Sequence, residues 1–435
     1  MVTFTNERRD LSTRSSKKCN MFQTPKGTRD ILPEDMGKLL KIKDIFRDVS
    51  ERYGFVPLET PAFENFGLLS AKGGLGEAVR DEIYYFKDKG DRELGLRFDL
   101  TMPLARFVMN NPNLPKPFKR YQIGRVWRYD NPQAMRWREF WQADVDVIGS
   151  SSMEADSECL NVAVDCLKET GFKKFSIRIN NRKLIEYVLK KMGVSNNKIS
   201  NAFKIIDKRD KIGLENVKKE LEQNGINIKV EDIFIKGSNE SILKKVEKKF
   251  GENEGLKELE EIISLCKKMK IEKYIKIDLS LVRGLDYYTG PVFEVTIESA
   301  NVSCGGGGRY DKLIKNVGGR DTPAVGISFG LDRIFSVMKE SKDVKERYFV
   351  VYVNDKVKSK AANILQTLRK EGLIADMDKM NRNISKQMKY ASSLKYPFVV
   401  IVGEKELKKR SVTLRNMKSG KEKLVRIKDL KKIAF

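Results

Sequence analysis

The chain is 435 residues long, carries 85 lysines and arginines against 60 acids, and contains no histidine. That length exceeds what one hydrophobic core ordinarily serves, so two or three packed units are expected. The formal charge of +25 favours a polyanionic partner, nucleic acid first, because neutralising phosphates releases counterions. A lysine-rich surface that serves only solubility fits the same numbers. The missing imidazole excludes a histidine general base, nucleophile or metal ligand, so the chemistry must run on carboxylates, guanidiniums, hydroxyls and amides. Five scattered cysteines, Cys19, Cys159, Cys166, Cys266 and Cys304, include no C-x-x-C pair. Their spacing argues against a disulfide framework or zinc knuckle and for a reducing, cytoplasmic setting. No apolar run is long enough to cross a bilayer, so no membrane association is expected.

Residues 1–20 are polar and lack an apolar stretch of signal-peptide type, so a disordered extension is expected there. Arg8, Arg9, Arg14, Lys17 and Lys18 fit an organelle transit peptide, Glu7 and Asp10 speak against one, and Met21 is an equally good start. Leu39, Ile42, Phe46, Val49 and Tyr53 recur at steps of three and four before Gly54, which predicts an amphipathic helix with a stop. Strand-like runs follow at 55–59, 94–98, 140–148, 292–297 and 324–329, and a large, mainly antiparallel sheet framed by helices would collect them. The intervening stretch 182–276 reads as Lys/Glu-rich amphipathic helices, for example Leu184, Ile185, Val188, Leu189 and Met192 before Gly193, and predicts an inserted helical module. From 346 the pattern is strand (348–353), helix, Gly372, a further helix, strand (398–402) and paired strands at the end, which predicts a separate α/β domain over 346–435. The domain reading is therefore 1–20, 21–181, 182–276, 277–342 and 346–435, with an α+β core split by the insertion.

Five stretches carry chemistry. In LRFDLT at 96–101, strand alternation would place Arg97, Asp99 and Thr101 on one face; a solvated strand with a local ion pair fits as well. In RVWRYDNPQAMRWREFWQADVDVIG at 125–149, two strands flank a turn at Asn131-Pro132 with Arg128, Asp130, Arg136 and Arg138 near it. Guanidiniums gathered at one turn suit a polyphosphate, because their planar fork matches phosphate oxygens. The second strand puts Phe140, Gln142, Asp144 and Asp146 on one face, a ring for stacking a base followed by acceptors for a cationic or NH-bearing group. A self-paired charged hairpin is the plainer alternative. In LVRGLDYYTG at 281–290 and SCGGGGRYD at 303–311, four consecutive glycines would let backbone approach a ligand, or form only a flexible turn. VGISFGLDRI at 325–334 reads as strand, glycine and helix start, with Arg333 in the first turns or simply on the surface.

In order, 55–61, 125–149 and 325–334 resemble the three signature motifs of class II aminoacyl-tRNA synthetases. RGLDYYTG and GGGGRYD resemble the two motifs specific to histidyl-tRNA synthetases, and KGTRDILPEDM near the start and VIVGEKEL from Val400 are similar to that family too. The resemblance covers nearly everything from Met21 onward and is weakest in the helical insertion.

The resemblance implies a ligase that activates histidine with ATP and transfers it to tRNA(His), on a class II α+β core with an anticodon-binding domain at 346–435. It implies Asp99, Leu100, Thr101 and Gln142 around the substrate α-amino group, Asp146 and Tyr288 at the imidazole, and Tyr287 in the pocket wall. It implies Arg128 and Arg283 as the catalytic pair at the α-phosphate and as part of the histidine site, Phe140 under adenine, and Asp130, Arg136 and Arg333 with the rest of ATP. Gln133 is implied at the tRNA acceptor end, Mg²⁺ on the outer phosphates, and a homodimer through 55–61. No metal ligand is expected from histidine or cysteine. Asp130 stands where many members have glutamate, and Trp137 falls in the variable part of the second motif. The alternative within the superfamily is a non-catalytic relative that binds histidine or uncharged tRNA as a regulator. Such relatives usually lack the arginines or the C-terminal domain present here.

Overall fold

Alternation and helical periodicity are realised in a computed structural model that describes residues 22–71, 81–133, 135–282, 287–338, 346–427 and 429. The extension expected at 1–20 and Arg283 lie outside the described residues. Contacts divide the chain into a unit within residues 20–338 and a second that holds residues 339–435. Among the described residues no helix is long and apolar enough to cross a membrane.

The first unit is built on eight strands: β1 (Val56–Pro57), β2 (Phe118–Trp127), β3 (Glu139–Ile148), β4 (Ser176–Asn181), β5 (Ile275–Ile277), β6 (Pro291–Ile297), β7 (Val302–Arg309) and β8 (Ala324–Gly330). Their order is β1-β2-β3-β8-β7-β6-β4-β5. The pairs are antiparallel except at the two edges, where β1 runs parallel to β2 and β5 parallel to β4. The mainly antiparallel sheet expected from the sequence is therefore present. The second-motif turn lies between β2 and β3, whose register runs from Trp127 opposite Glu139 to Phe118 opposite Ile148.

Period-two alternation gives this sheet two unlike faces. Ala143, Val145 and Val147 of β3 join Val325, Ile327 and Phe329 of β8 in a core with the helices Pro33–Arg52 and Met153–Glu169. The first helix opens with Pro33, whose missing N–H is no loss there, and buries Leu39, Ile42, Phe46 and Val49 at the predicted spacing. Phe46 meets the edge of the Phe329 ring at 5.1 Å between centroids. Phe46→Ala is expected to cost about 3–5 kcal/mol, read by chemical denaturation, because a buried ring would be replaced by a cavity. The residues between, Gln142, Asp144 and Asp146, point to the other face, where they line a cavity.

The structure corrects three readings. The run at 94–98 does not join the large sheet: Glu93–Leu96 is the middle strand of a three-stranded sheet with Phe63–Asn65 and Tyr85–Lys87. Nor does the strand reach Thr101, which opens the helix Thr101–Asn110; Asp99 Oδ1 accepts from Met102 N–H at 3.0 Å and satisfies one of that helix's free donors. The four glycines at 305–308 are not a loop but lie within β7, paired on both sides with β6 and β8.

Between β4 and β5 lie the helices Arg182–Lys191, Asn196–Ile206, Leu214–Gln223, Asn239–Phe250 and Glu254–Lys268, with Leu184, Ile185, Val188 and Leu189 buried as read from the sequence. The second unit carries β9 (Arg347–Tyr352), β10 (Ile374–Met377), β11 (Phe398–Val402), β12 (Ser411–Asn416) and β13 (Glu422–Arg426) in the order β10-β9-β11-β12-β13. The first three are parallel and the last two antiparallel. Tyr348, Val350 and Tyr352 of β9 pack with the helix Asp355–Lys370, while Phe349 and Val351 pack with Ala391 of the helix Ile384–Ser393, so one strand serves two cores. Strand β10, four residues with an aspartate inside, has no clear sequence signal.

Candidate active site

On the polar face of the sheet lies a cavity of about 260 Å³ lined by β3, β7 and β8, by Asp99 and Thr101, by Tyr287, Tyr288 and Tyr310, and by the turn between β2 and β3. Its floor is nearly without side chains. Gly305, Gly306 and Gly307 lie along β7 and Gly326 and Gly330 along β8. At Gly307 and Gly326 the reason is packing: a Cβ on Gly307 would stand 2.7 Å from Ile327 Cα and against the Gly326 carbonyl, and one on Gly326 would collide with the Asp146 carboxylate. Glycine in a strand interior marks such close approach.

One end of the cavity is acidic. Asp99, Asp144 and Asp146 are buried there with Thr101 and Gln142. Asp146 accepts from the Tyr310 hydroxyl through Oδ1 and pairs through Oδ2 with Arg120 Nη2 at 2.7 Å. Arg120 is fully buried, stands 4.0 Å from Asp144 Oδ2 and donates to Leu100 O at 3.2 Å. Tyr287 packs edge-on to Tyr288 and Tyr310, and its hydroxyl is hydrogen-bonded with Thr101. Burial raises the carboxyls of Asp144 and Asp146, with Arg120 opposing it in both. Burial pushes Asp99 up to about 6, against the lowering influence of the Met102 N–H and Arg128.

The contribution of Asp99 to the stability of the free protein is therefore largest at low pH and is lost as pH rises through about 6, because the folded state favours its protonated form. The stability of the wild type relative to Asp99→Asn is expected to fall as pH rises through about 6, read by chemical denaturation across that range.

The other end is cationic. Arg128 donates from Nε to Phe98 O at 3.0 Å and its guanidinium carbon lies 5.3 Å from the Phe140 ring centre. Asp130 Oδ2 accepts from Arg136 Nε and pairs with its Nη2, both at 2.7 Å. Arg333, in the helix Leu331–Val337, donates to Ser303 O at 2.8 Å. Arg128, Asp130, Arg136, Phe140 and Arg333 all line the same cavity as the acidic group. Phe140 to Asp146 is six residues along one strand, so the two ends are about 20 Å apart.

Several sequence-based placements need revision. Arg97 is not in the cavity; its guanidinium turns away to Glu59, Thr60 O and Arg125 O, since residues 97–101 leave the strand. Leu100 is also outside it, buried with its side chain toward Gly124. Arg138 packs over Tyr129 at 4.0 Å and donates to Asp130 O, bracing the turn from outside. Gln133 is exposed at the tip of that turn, where its N–H and carbonyl exchange hydrogen bonds with Arg136.

Arg120, Tyr310 and Asp332 were not singled out from sequence. Arg120 stands opposite Asp146 across β2 and β3, whereas counting outward from the Asn131-Pro132 turn would have set it against Ala143. Asp332 offered no local signal either: it receives Trp141 N–H at 2.7 Å and Arg29 at 2.6 Å, both distant in sequence.

The residues of this cavity fall within the match to the family model described as histidyl-tRNA synthetase, which spans residues 27–334; a model described as anticodon binding domain matches 347–434. The chain belongs to the histidyl-tRNA synthetase family. Relatives of this family named histidine–tRNA ligase are 40% identical over 420 residues in Methanococcus maripaludis and 40% over 421 in Methanocaldococcus jannaschii, each covering 94% of this chain and 99% of the relative. A crystal structure of histidyl-tRNA synthetase from Nostoc sp. PCC 7120 is 32% identical and superposes with a TM-score of 0.84 over 94% of this chain and 98% of that one. The fold is accordingly the α+β arrangement of class II synthetases. Both departures from the family pattern have local partners: Asp130 holds Arg136, and Trp137 lies 4.4 Å beneath the guanidinium of Arg29.

Proposed function

We propose that the chain is a histidine–tRNA ligase, which forms histidyl-adenylate from histidine and ATP and then transfers the histidyl group to the 3′ end of tRNA(His). The observation that carries this reading is the single cavity with a carboxylate–tyrosine end and an arginine–phenylalanine end on one strand face. Asp99, Thr101 and Gln142 take the α-ammonium, and Asp146 and Tyr288 meet the imidazole, whose two nitrogens need matched partners. Unpaired polar groups in such a pocket penalise competitors of similar shape that lack the imidazole nitrogens.

Phe140 stacks on adenine, Arg128 meets the α-phosphate, and Arg136 and Arg333 take the outer phosphates. Arg136 must exchange Asp130 for phosphate to do so. Arg283 is assigned to the α-phosphate on its motif alone. The histidine carboxylate attacks the α-phosphorus in line and pyrophosphate leaves, with guanidiniums stabilising the charge that develops. The nucleophile is already anionic, so this step needs no protein base. Mg²⁺ would be carried by the phosphates of ATP, where it would offset their negative charge.

Gln133 contacts the tRNA acceptor end, residues 346–435 read the anticodon, and two copies associate through 55–61 in the cytoplasm. Histidine-dependent exchange of pyrophosphate into ATP tests the core of the proposal. A full-length protein that binds histidine yet shows no exchange and charges no tRNA would be a regulator instead.

A further inference from the structure

Asp144 has no part in the assignments above, yet it is buried, lines the cavity and lies two residues from Gln142 on the same face of β3. Gln142 Nε2 donates to both of its carboxylate oxygens, at 3.0 and 3.2 Å. Nε2 only donates, so this pairing turns the amide's carbonyl oxygen away from Asp144. An unrestrained glutamine would present either an acceptor or a donor to a ligand, and only the acceptor suits an ammonium. Asp144 is itself held from neighbouring strands: Arg120 Nη2 of β2 stands 4.0 Å away, and the Ser328 hydroxyl of β8 bonds to it from the opposite register position.

We infer that Asp144 is a positioning residue for histidine, orienting the Gln142 amide so that its carbonyl receives the substrate α-ammonium. The inference rests on the assignment of Gln142 to that group. Arg120 supports the arrangement from behind, supplying counter-charge that the substrate would otherwise have to provide.

The test compares calorimetric binding of histidine with that of 3-(imidazol-4-yl)propionate, which lacks the amino group, on the full chain. Asp144→Leu keeps the volume and removes both acceptors. It is expected to weaken histidine by about tenfold while leaving the propionate and ATP within about twofold, because one charge-assisted contact is lost. Asp144→Asn, with one acceptor left, is expected to fall between. Gln142→Ala should lose the same preference for histidine, and the double variant should lose no more than either single one. If Gln142→Ala retains the preference, the assignment of Gln142 is wrong. If Gln142→Ala loses it while both Asp144 variants retain it, the orienting role is overturned. Equal weakening of both ligands in Asp144→Leu would likewise overturn it, since that is the signature of a distorted pocket.

Discussion

Arg128→Ala is expected to lower histidine-dependent pyrophosphate exchange by about 10²–10³-fold, the usual cost of removing one fixed donor from a developing oxyanion. Nε is tied to Phe98 O and the guanidinium lies beside the Phe140 ring, so its direction is set before ligand arrives. A donor held in place needs no reorganisation as charge grows on the phosphorus oxygens. Arg128→Lys should recover little, because an ammonium is a point charge without the planar fork. Steady-state exchange with ATP and histidine varied separately measures the effect, and a thermal melt shows whether the fold is intact. A variant folded like the parent and within about tenfold of its rate would remove Arg128 from the reaction.

The second large effect is expected at Gly326. A Cβ there falls on the Asp146 carboxylate and 2.9 Å from Val145 O, and neither neighbour can give way freely. Asp146 is held by Tyr310 and Arg120, and Val145 O belongs to the backbone of β3. Gly326→Ala is therefore expected to cost about 1–3 kcal/mol of stability, as overpacking does, and, on the role proposed for Asp146, to abolish measurable histidine binding by displacing that carboxylate. Gly330→Ala is the control: on the same strand its Cβ would find nothing closer than 3.9 Å, and the melt should be unchanged. Equal tolerance at both positions would show that Asp146 is not locked against β8.

Part of the site is legible in the amino-acid sequence. The run Phe140, Gln142, Asp144, Asp146 can be placed on one face because a strand's period of two needs only local information. The same rule fails at 97–101. There the alternation continues in the letters while the backbone turns into a helix at Thr101, so Asp99 and Thr101 reach the cavity and Arg97 does not. The glycine run shows a different limit. Composition marks 305–308 as a place where side chains are unwelcome, but a flexible turn and a strand pressed between two others leave the same four letters. Tyr310 is visible in its motif, yet its bond to Asp146 joins residues 164 positions apart.

By itself the sequence determined the α+β class, the absence of imidazole chemistry from the protein side, and the order of side chains along β3, because these follow from composition and short-range periodicity. Only the tertiary structure decided that Arg120 is buried behind the carboxylates, that Arg97 and Leu100 stand outside the cavity, and that the glycines form its floor. Each of those outcomes depends on which strands become neighbours. Pairing of that kind is a long-range property that period and composition do not encode.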